Sequence, residues 1–161
     1  MAETVYIGLG SNLKNPIQQV QLALQRLHAL PQTQVIKCSS LYRTAPLGGL
    51  DQPDYINAVA QLMTDLSPLE LLSNLQLLEN LQGRIRQQRW GARILDLDIV
   101  LYGQHHIDQP RLTVPHVGLY ERSFVLYPLY ECSPELILPN GQALSELVSS
   151  LVQNEIQKIA A

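Results

Sequence analysis

Residues 83–100, GRIRQQRWGARILDLDIV, decide how this chain is expected to fold. The second half of the stretch alternates apolar and acidic residues, which is typical of a half-buried β-strand. The two faces of the predicted strand carry Leu95, Leu97, Ile99 and Leu101 on one side, and Asp96, Asp98 and Val100 on the other. The two carboxylates therefore project in the same direction, about 7 Å apart for a rise of ~3.3 Å per residue.

These paired aspartates indicate a site for a divalent cation. Two like charges on an apolar strand repel each other and lose hydration, so a cation that compensates them is expected. Mg²⁺ takes one or two carboxylates together with phosphate oxygens. The alternative is an edge strand with a solvated polar face. The arginines upstream favour the metal, because their forked guanidinium groups suit phosphates.

The arginine-rich loop before the strand is expected to bind an anion. Its four arginines are Arg84, Arg86, Arg89 and Arg93. Residues 84–93 contain no acidic partner, and unpaired arginines repel each other unless an anion is present. A solvated charged loop is the alternative. Trp90, the only tryptophan, is either a core anchor or packs against a ligand ring. The whole stretch predicts phosphoryl chemistry on a nucleotide.

The composition is that of one soluble globular domain over residues 1–161. The chain is 46% hydrophobic and 16% charged, with a net charge of −3, which argues against a general nucleic-acid binder. It has no leader-like start and no apolar run near the ~18 residues of a membrane span, so we expect a cytoplasmic protein without a membrane partner. Cys38 and Cys132 have no metal-like spacing and are expected to be reduced.

The elements before residue 95 follow from the periodicity of the apolar residues and from the residues that begin or end helices and turns. The predicted strands cover residues 4–10, 34–44 and 55–63, and residues 45–54 form a loop rich in Gly and Pro. A helix begins at Pro16 with Asn15 as its N-cap. Ser67 and Glu70 have the spacing of a capping box, which starts a second helix that stops at Gly83.

The C-terminal third gives weaker patterns. It is predicted to contain a loop over residues 110–116, a helix over 121–130, a turn at 139–141 and a helix over 143–152. The order β-α-β-β-α-β plus C-terminal helices predicts an α+β fold, a ferredoxin-like sandwich whose antiparallel sheet has helices on one face. Because that fold supports many functions, the site must identify this one.

Several further residues have a functional and a structural interpretation. Gln76 and Glu79 share a helical face, where Glu79 either pairs with Arg84 or Arg86 or contacts a ligand. Tyr55 and Asn57 share a strand face, which suits a flat heterocycle but equally an ordinary half-buried strand. The segment Gly8-Leu9-Gly10 lacks the spacing of a phosphate loop and is interpreted as a tight turn.

In four of its segments the sequence resembles the 6-hydroxymethyl-7,8-dihydropterin pyrophosphokinase family. The run from Arg89 to Val100, RWGARILDLDIV, is similar to the signature of that family. Three further segments are similar as well: residues 7–13 (IGLGSNL), 40–57 (SLYRTAPLGGLDQPDYIN) and 111–124 (RLTVPHVGLYERSF). The resemblance implies transfer of the β,γ-pyrophosphoryl group of ATP to the pterin hydroxymethyl oxygen, with release of AMP, in folate biosynthesis.

The resemblance also implies the roles of individual residues. Two Mg²⁺ ions would be held by Asp96 and Asp98, with Arg84 and Arg93 as further catalytic residues on the transferring phosphates. The implied nucleotide-binding set is Gln76, Glu79, Arg84, Arg86, Trp90, Arg93, Ile99, Arg111, Thr113, His116 and Arg122. The implied pterin-binding set is Thr44, Ala45, Leu47, Tyr55, Asn57, Trp90, Asp96 and Phe124.

Two other functions compete with this one. A non-catalytic RNA-binding module would need a basic face and exposed aromatic residues, whereas this chain is acidic and only 6% aromatic. A regulatory domain that binds ATP without turnover is excluded only by AMP production with a pterin acceptor. The expected partners are therefore ATP and the hydroxymethyl-dihydropterin, with no nucleic acid, and the chain is expected to act as a monomer.

Overall fold

The computed structural model describes residues 2–13, 15–44, 54–83, 94–120, 122–151 and 156–159. The strands are β1 (Glu3–Ser11), β2 (Thr33–Cys38), β3 (Tyr42–Thr44), β4 (Tyr55–Thr64), β5 (Asp96–Tyr102), β6 (Ile107–Gln109), β7 (Leu112–Val114) and β8 (Ile156–Lys158). The helices are α1 (Pro16–Leu27), α2 (Pro68–Leu81), α3 (Ser123–Cys132) and α4 (Leu144–Ser149). The predicted combination of an antiparallel sheet with helices is confirmed.

The main sheet has the strand order β5-β1-β4-β3-β8, and β2 also pairs with β4. All pairings between these described strands are antiparallel. Strands β6 and β7 form a separate antiparallel hairpin. The long strands β1 and β4 lie in the middle of the sheet, so they provide a rigid base for side chains on either face.

The two faces of the sheet are covered by different helices. One hydrophobic cluster joins alternate residues of β1, β4 and β5 to α1 and α2, including Ile7, Leu62 and Leu75. The other joins the opposite side of the same strands, including Tyr6 and Val59, to α3 and α4. The prediction of helices on one face is therefore correct for α1 and α2, whereas the C-terminal helices lie on the other face.

The predicted strand over residues 34–44 is two strands, because a side chain interrupts the ladder. The Ser39 backbone N–H donates to Val59 O at 2.8 Å, and the Val59 N–H donates to the Ser39 hydroxyl at 2.9 Å. The hydroxyl thus replaces the backbone carbonyl that a continuous strand would offer. The chain leaves β2 after Cys38 and re-enters the sheet as β3.

A bulge in β5 changes one predicted face. Ile7 is paired with Ile99 and Tyr6 with Leu101, so Val100 is the extra residue on β5. Leu101 consequently joins Val100 in the cluster under α3 and α4 rather than the cluster of Ile99. The prediction that Leu101 shares a face with Leu95, Leu97 and Ile99 is wrong for this reason.

The N-terminal glycines and helix start also differ from their predictions. Gly8 and Gly10 lie inside β1 and not in a tight turn. Asn15 is the N-cap of α1, but it has a left-handed backbone (φ 62°) and its side chain makes no capping bond. Its carbonyl instead accepts the N–H of Gln19 at 3.0 Å. Asparagine tolerates this conformation better than most residues.

The C-terminal third contains more strand than predicted. The loop predicted over residues 110–116 includes β7, and β8 has no counterpart among the predicted elements. Helix α3 begins at Ser123 and continues through Pro128, and α4 ends at Ser149. Short strands such as β7 and β8 leave little periodic signal, because only alternating patterns over several residues are recognisable.

The capping box at the start of α2 is confirmed and gives a stability prediction. The Ser67 hydroxyl accepts from the Glu70 N–H, and the Glu70 carboxylate accepts from the Ser67 N–H. We expect Ser67→Ala to lower the free energy of unfolding by about 1 kcal/mol, measured by urea denaturation. Ser149→Ala is the control, because that hydroxyl bonds only to carbonyls of its own helix. Equal effects of the two substitutions would contradict the prediction.

Two further features concern helix length and the cysteines. In the part of the chain that the structure describes, no helix is both long enough and apolar enough to cross a bilayer. Cys38 and Cys132 are free thiols, as predicted.

Candidate functional site

A row of facing residues crosses the sheet at the end where β5 begins. Asp96 lies opposite Gly10, Gly10 lies opposite Asn57, and Asn57 lies opposite Tyr42. Residues directly opposite each other in antiparallel strands project from the same face. The row therefore places the Asp96 carboxylate and the Asn57 amide on one face, two strands and about 10 Å apart.

Glycine occupies the middle of this row, so no side chain stands between Asp96 and Asn57. Gly10 separates Asp96 from Asn57, and Gly8 lies opposite Asp98 on the same face. A methyl group added at Gly10 would lie 3.0 Å from Asn57 Oδ1. The stretch of β1 beside the two aspartates therefore carries no side chain on this face, and both Gly10 and Asn57 are buried. Asp98 is exposed, with 55% of its side chain accessible.

The close packing of Gly10 against the Asn57 amide gives a testable prediction. We expect Gly10→Ala to displace the Asn57 amide and to raise the KM for a pterin substrate by about ten-fold, because small misplacements in a site are costly. Steady-state kinetics would measure it. In an Asn57→Ala background the same substitution is expected to add little, since the displaced group is gone. The same fold rise of the pterin KM in both backgrounds would contradict the prediction.

Glu79 anchors the edge strand that carries the aspartates. Its side chain is only 2% exposed, and Oε2 accepts the N–H of Leu97 at 2.8 Å. Leu97 lies between Asp96 and Asp98 on β5, which is the last strand of the sheet on this side. The carboxylate on α2 therefore supplies the acceptor that a further strand would provide. Sequence reasoning assigned Glu79 to a salt bridge or a ligand and missed this contact.

His116 lies beside the aspartates with a defined tautomer. Its Nε2 is 3.9 Å from Asp98 Oδ2, and its Nδ1 accepts the Gly118 N–H at 3.2 Å. The proton of the neutral ring is therefore on Nε2, which faces Asp98. Burial, and next the Arg122 charge, lower the pKa of His116 although Asp96 raises it. The lowered pKa favours the neutral ring, whose Nε2 N–H faces Asp98.

Arg122 and Phe124 form a pair at the start of α3. The guanidinium lies over the Phe124 ring, 5.6 Å from its centroid. The Arg122 side chain also runs across Gly118, where an added methyl group would lie 2.1 Å from its Nε. The missing side chain at Gly118 thus lets the arginine approach the same histidine loop that faces Asp98. Cation–π contact and this close packing fix the Arg122 side chain near the site.

The pterin candidates on β3 and β4 lie at the opposite end of the row from Asp96. The Asn57 amide donates to Thr44 Oγ1 at 2.9 Å, and Thr44 lies opposite Tyr55 in the pairing of β3 with β4. Tyr55 and Asn57 share a face, as predicted. Asn57 and Thr44 are buried, while Tyr55 on β4 and Phe124 on α3 are each half-buried, so part of each ring is accessible.

The remaining nucleotide candidates, apart from Ile99, lie on α2 and on the β6–β7 hairpin, beside β5. Arg111 is exposed beside the β6–β7 turn and donates to the Ser73 hydroxyl of α2 at 3.2 Å, three residues before Gln76. Thr113 is exposed on β7. Ile99 is the exception, because its side chain is buried in the core under α1 and α2. Only its backbone is available to a ligand.

Some predicted site residues lie outside the described residues. They are Ala45, Leu47, Arg84, Arg86, Trp90 and Arg93, and Arg89 of the arginine loop lies there as well. Their roles stay predictions from the sequence.

The donor chemistry at Asp96 and Asp98 fits a hard divalent cation. Two carboxylates project from one face, and oxygen is the ligand that Mg²⁺ prefers. Within the described ranges no group of three or more His, Cys, Asp or Glu residues is placed to hold a metal.

Comparison with known proteins points to one family. The family model described as 7,8-dihydro-6-hydroxymethylpterin-pyrophosphokinase (HPPK) matches residues 6–134. A protein of Haemophilus influenzae named 2-amino-4-hydroxy-6-hydroxymethyldihydropteridine pyrophosphokinase is 49% identical over 156 residues, covering 97% of this chain and 98% of its own. A protein of Pseudomonas aeruginosa with the same name is 48% identical over 159 residues, covering 99% and 98%.

Solved structures share the fold. The crystal structure of wild-type Plasmodium falciparum HPPK-DHPS with pterin and p-hydroxybenzoate matches with a TM-score of 0.79 at 14% identity, covering 100% of this chain and 46% of that one. The wild-type structure with pteroate has a TM-score of 0.76, covering 93% and 42%. This chain thus spans less than half the length of those two proteins.

Proposed function

The chain belongs to the 7,8-dihydro-6-hydroxymethylpterin-pyrophosphokinase family, an ATP-dependent enzyme of folate biosynthesis, and we propose that its reaction takes place on the sheet face of Asp96 and Asn57. The reaction transfers pyrophosphate from ATP to the hydroxymethyl oxygen of 6-hydroxymethyl-7,8-dihydropterin and releases AMP. The observation that carries the proposed location is the row Asp96–Gly10–Asn57, in which a carboxylate and a planar amide lie on one face with only a glycine between them.

The metal end of the site is proposed at Asp96 and Asp98. Two Mg²⁺ ions held there together with ATP would neutralise phosphate charge and orient the transferring group. The residues of the chain contribute the rest. The β5 strand keeps both carboxylates on one face, and the buried Glu79 fixes the backbone between them.

Charged and polar groups around the aspartates are proposed to hold the triphosphate. His116 presents its Nε2 proton beside Asp98, and Arg122 is fixed over Phe124 close to the same loop. Arg111, held by Ser73 near Gln76 and Glu79, lies on the outer side of β5 and would serve the nucleoside part. Such fixed donors stabilise developing charge better than water does, because they do not reorganise during the reaction.

The pterin end is proposed between β4 and α3. Asn57 offers an amide whose N–H already donates to Thr44, so its orientation is set before the substrate binds. Tyr55 and Phe124 are the half-buried aromatic rings available to stack on the pterin. Excluding water from this end would protect ATP from hydrolysis.

We also propose the ferredoxin-like arrangement for the core. The order β5-β1-β4-β3, with β2 on β4, supports it if β2 and β3 together count as one strand interrupted at Ser39. In that arrangement α1 and α2 cover the face opposite to the site.

The experiment that tests the function separates the nucleotide products. Purified protein is incubated with ATP and Mg²⁺, with and without hydroxymethyl-dihydropterin, and AMP and ADP are resolved by chromatography. We expect AMP to form in amounts equal to pyrophosphorylated pterin, and only when the pterin is present. ADP as the product, or AMP formed at the same rate without the pterin, would overturn the proposal. Tight, salt-sensitive RNA binding without turnover would favour the RNA-binding alternative.

A further inference from the structure

The Glu131 carboxylate joins α3 to the edge of the sheet by accepting three hydrogen bonds. The Ser40 N–H donates to Oε1 at 3.0 Å, the Ser40 hydroxyl donates to Oε2 at 2.7 Å, and the Tyr42 hydroxyl donates to Oε1 at 2.7 Å. Lys158 Nζ of β8 lies 3.6 Å from Oε2. One side chain on α3 therefore contacts Ser40 just before β3, Tyr42 in β3 and Lys158 in β8.

The ionised form of Glu131 is the one that these contacts stabilise. Partial burial raises the pKa of Glu131, but the hydrogen bonds from Tyr42 and Ser40, together with the Lys158 charge, lower it further than burial raises it. Hydrogen bonds to a charged acceptor are shorter and stronger than those between neutral groups. The contact between α3 and β3 is thus held by charge-assisted bonds rather than by apolar packing alone.

Both elements joined by this contact, β3 and α3, also carry or contact residues of the proposed pterin subsite. Tyr42 lies opposite Asn57, and Thr44, two residues further along β3, accepts the Asn57 amide proton. On α3, Phe124 precedes Glu131 by seven residues, which puts both on the same helical face about 10 Å apart. Glu131 therefore connects the strand that orients the amide to the helix that carries the aromatic ring.

We propose that Glu131 is a positioning residue that sets the separation of α3 and β3 and thereby the width of the pterin subsite; this rests on the function proposed above. Of the described nucleotide candidates, Gln76, Arg111 and Thr113 lie on α2 and around the β6–β7 hairpin, away from this contact. Arg122 lies at the start of α3, but it is further along the helix from Glu131 than Phe124 is and is also held by its packing across Gly118. Loss of the carboxylate should therefore weaken pterin binding more than ATP binding. A residue that served stability alone would reduce the amount of active enzyme and leave both KM values unchanged.

Steady-state kinetics of four proteins test the proposal. We expect Glu131→Ala to raise the KM for the pterin by about ten-fold, with the KM for ATP within about two-fold of the wild type. Glu131→Gln keeps an acceptor for Tyr42 and Ser40 and should recover at least half of that change on a logarithmic scale. Glu135→Ala is the matched control, because Glu135 is exposed just beyond the helix, and it should leave both KM values unchanged.

Each other outcome counts against the proposal. A pterin KM within two-fold of the wild type in Glu131→Ala, a parallel rise of both KM values, or no recovery in Glu131→Gln would overturn it. Should Glu131→Ala not fold, Tyr42→Phe removes one donor to the carboxylate, and an unchanged pterin KM in that variant overturns the proposal instead. Absence of AMP formation by the wild type would overturn the proposed function, whereas an active wild type with an unaffected Glu131→Ala overturns this inference alone.

Discussion

Replacing both Asp96 and Asp98 by asparagine is expected to lower kcat by at least about a thousand-fold, which corresponds to about 4 kcal/mol of transition-state stabilisation. Asparagine keeps the size of the side chain and removes its charge, so we expect the variant to lose the proposed cation and to keep the fold. Asp98 is exposed and Asp96 half-buried, so neither substitution disturbs the core. AMP formation under saturating ATP and pterin measures the effect, and circular dichroism checks the fold.

The matched control for this pair is Asp65→Asn. Asp65 is an exposed aspartate that follows β4 at the far end of the sheet, so the substitution changes net charge without touching the site. Its turnover should equal that of the wild type. A double variant that folds and retains more than about a tenth of wild-type turnover would show that the carboxylates do not hold a catalytic cation.

Replacing Glu79 by leucine is expected to damage both stability and activity. The leucine leaves the Leu97 N–H without its acceptor in a buried position, which should cost about 3 kcal/mol of unfolding free energy. It also releases the backbone between Asp96 and Asp98 at the sheet edge. A misplacement of that size should lower kcat by about 100-fold in the folded fraction. Urea denaturation and kinetics below the unfolding transition measure the two effects separately.

Glu79→Gln distinguishes the hydrogen bond from the charge. Glutamine retains an acceptor for the Leu97 N–H, so it should restore most of the stability that leucine loses. Asn80→Leu, at an exposed neighbouring position on α2, is the control for the added apolar surface and should change neither quantity. If glutamine proves as destabilising as leucine, the charge of Glu79 and not its bond to Leu97 carries the effect.

The part of the site that follows from strand periodicity could be predicted from the sequence. The alternation from Leu95 to Ile99 determines which residues share a face, and the same rule places Tyr55 with Asn57. The capping box at Ser67 likewise depends on residues only three positions apart. In each case the information is local, because side-chain period and turn chemistry are set by neighbours along the chain.

The remainder depends on contacts between residues far apart in sequence. The bulge at Val100 exists only in the pairing of β5 with β1, so it could not be read from β5 alone. The break of the 34–44 strand at Ser39 requires Val59, and the role of Gly10 requires Asn57 on the neighbouring strand. Glu79 reaches Leu97 across 18 residues. A single sequence gives no register between strands, and these features follow from register.

We propose that Asp96 and Asp98 hold divalent cations together with ATP. Titration of the protein with Mn²⁺ in the presence of α,β-methylene-ATP, followed by electron paramagnetic resonance, tests this without turnover. We expect two bound Mn²⁺ ions per chain in the wild type and loss of protein-bound Mn²⁺ in the Asp96→Asn, Asp98→Asn variant at the same concentrations. Equal Mn²⁺ binding by the two folded proteins would contradict it.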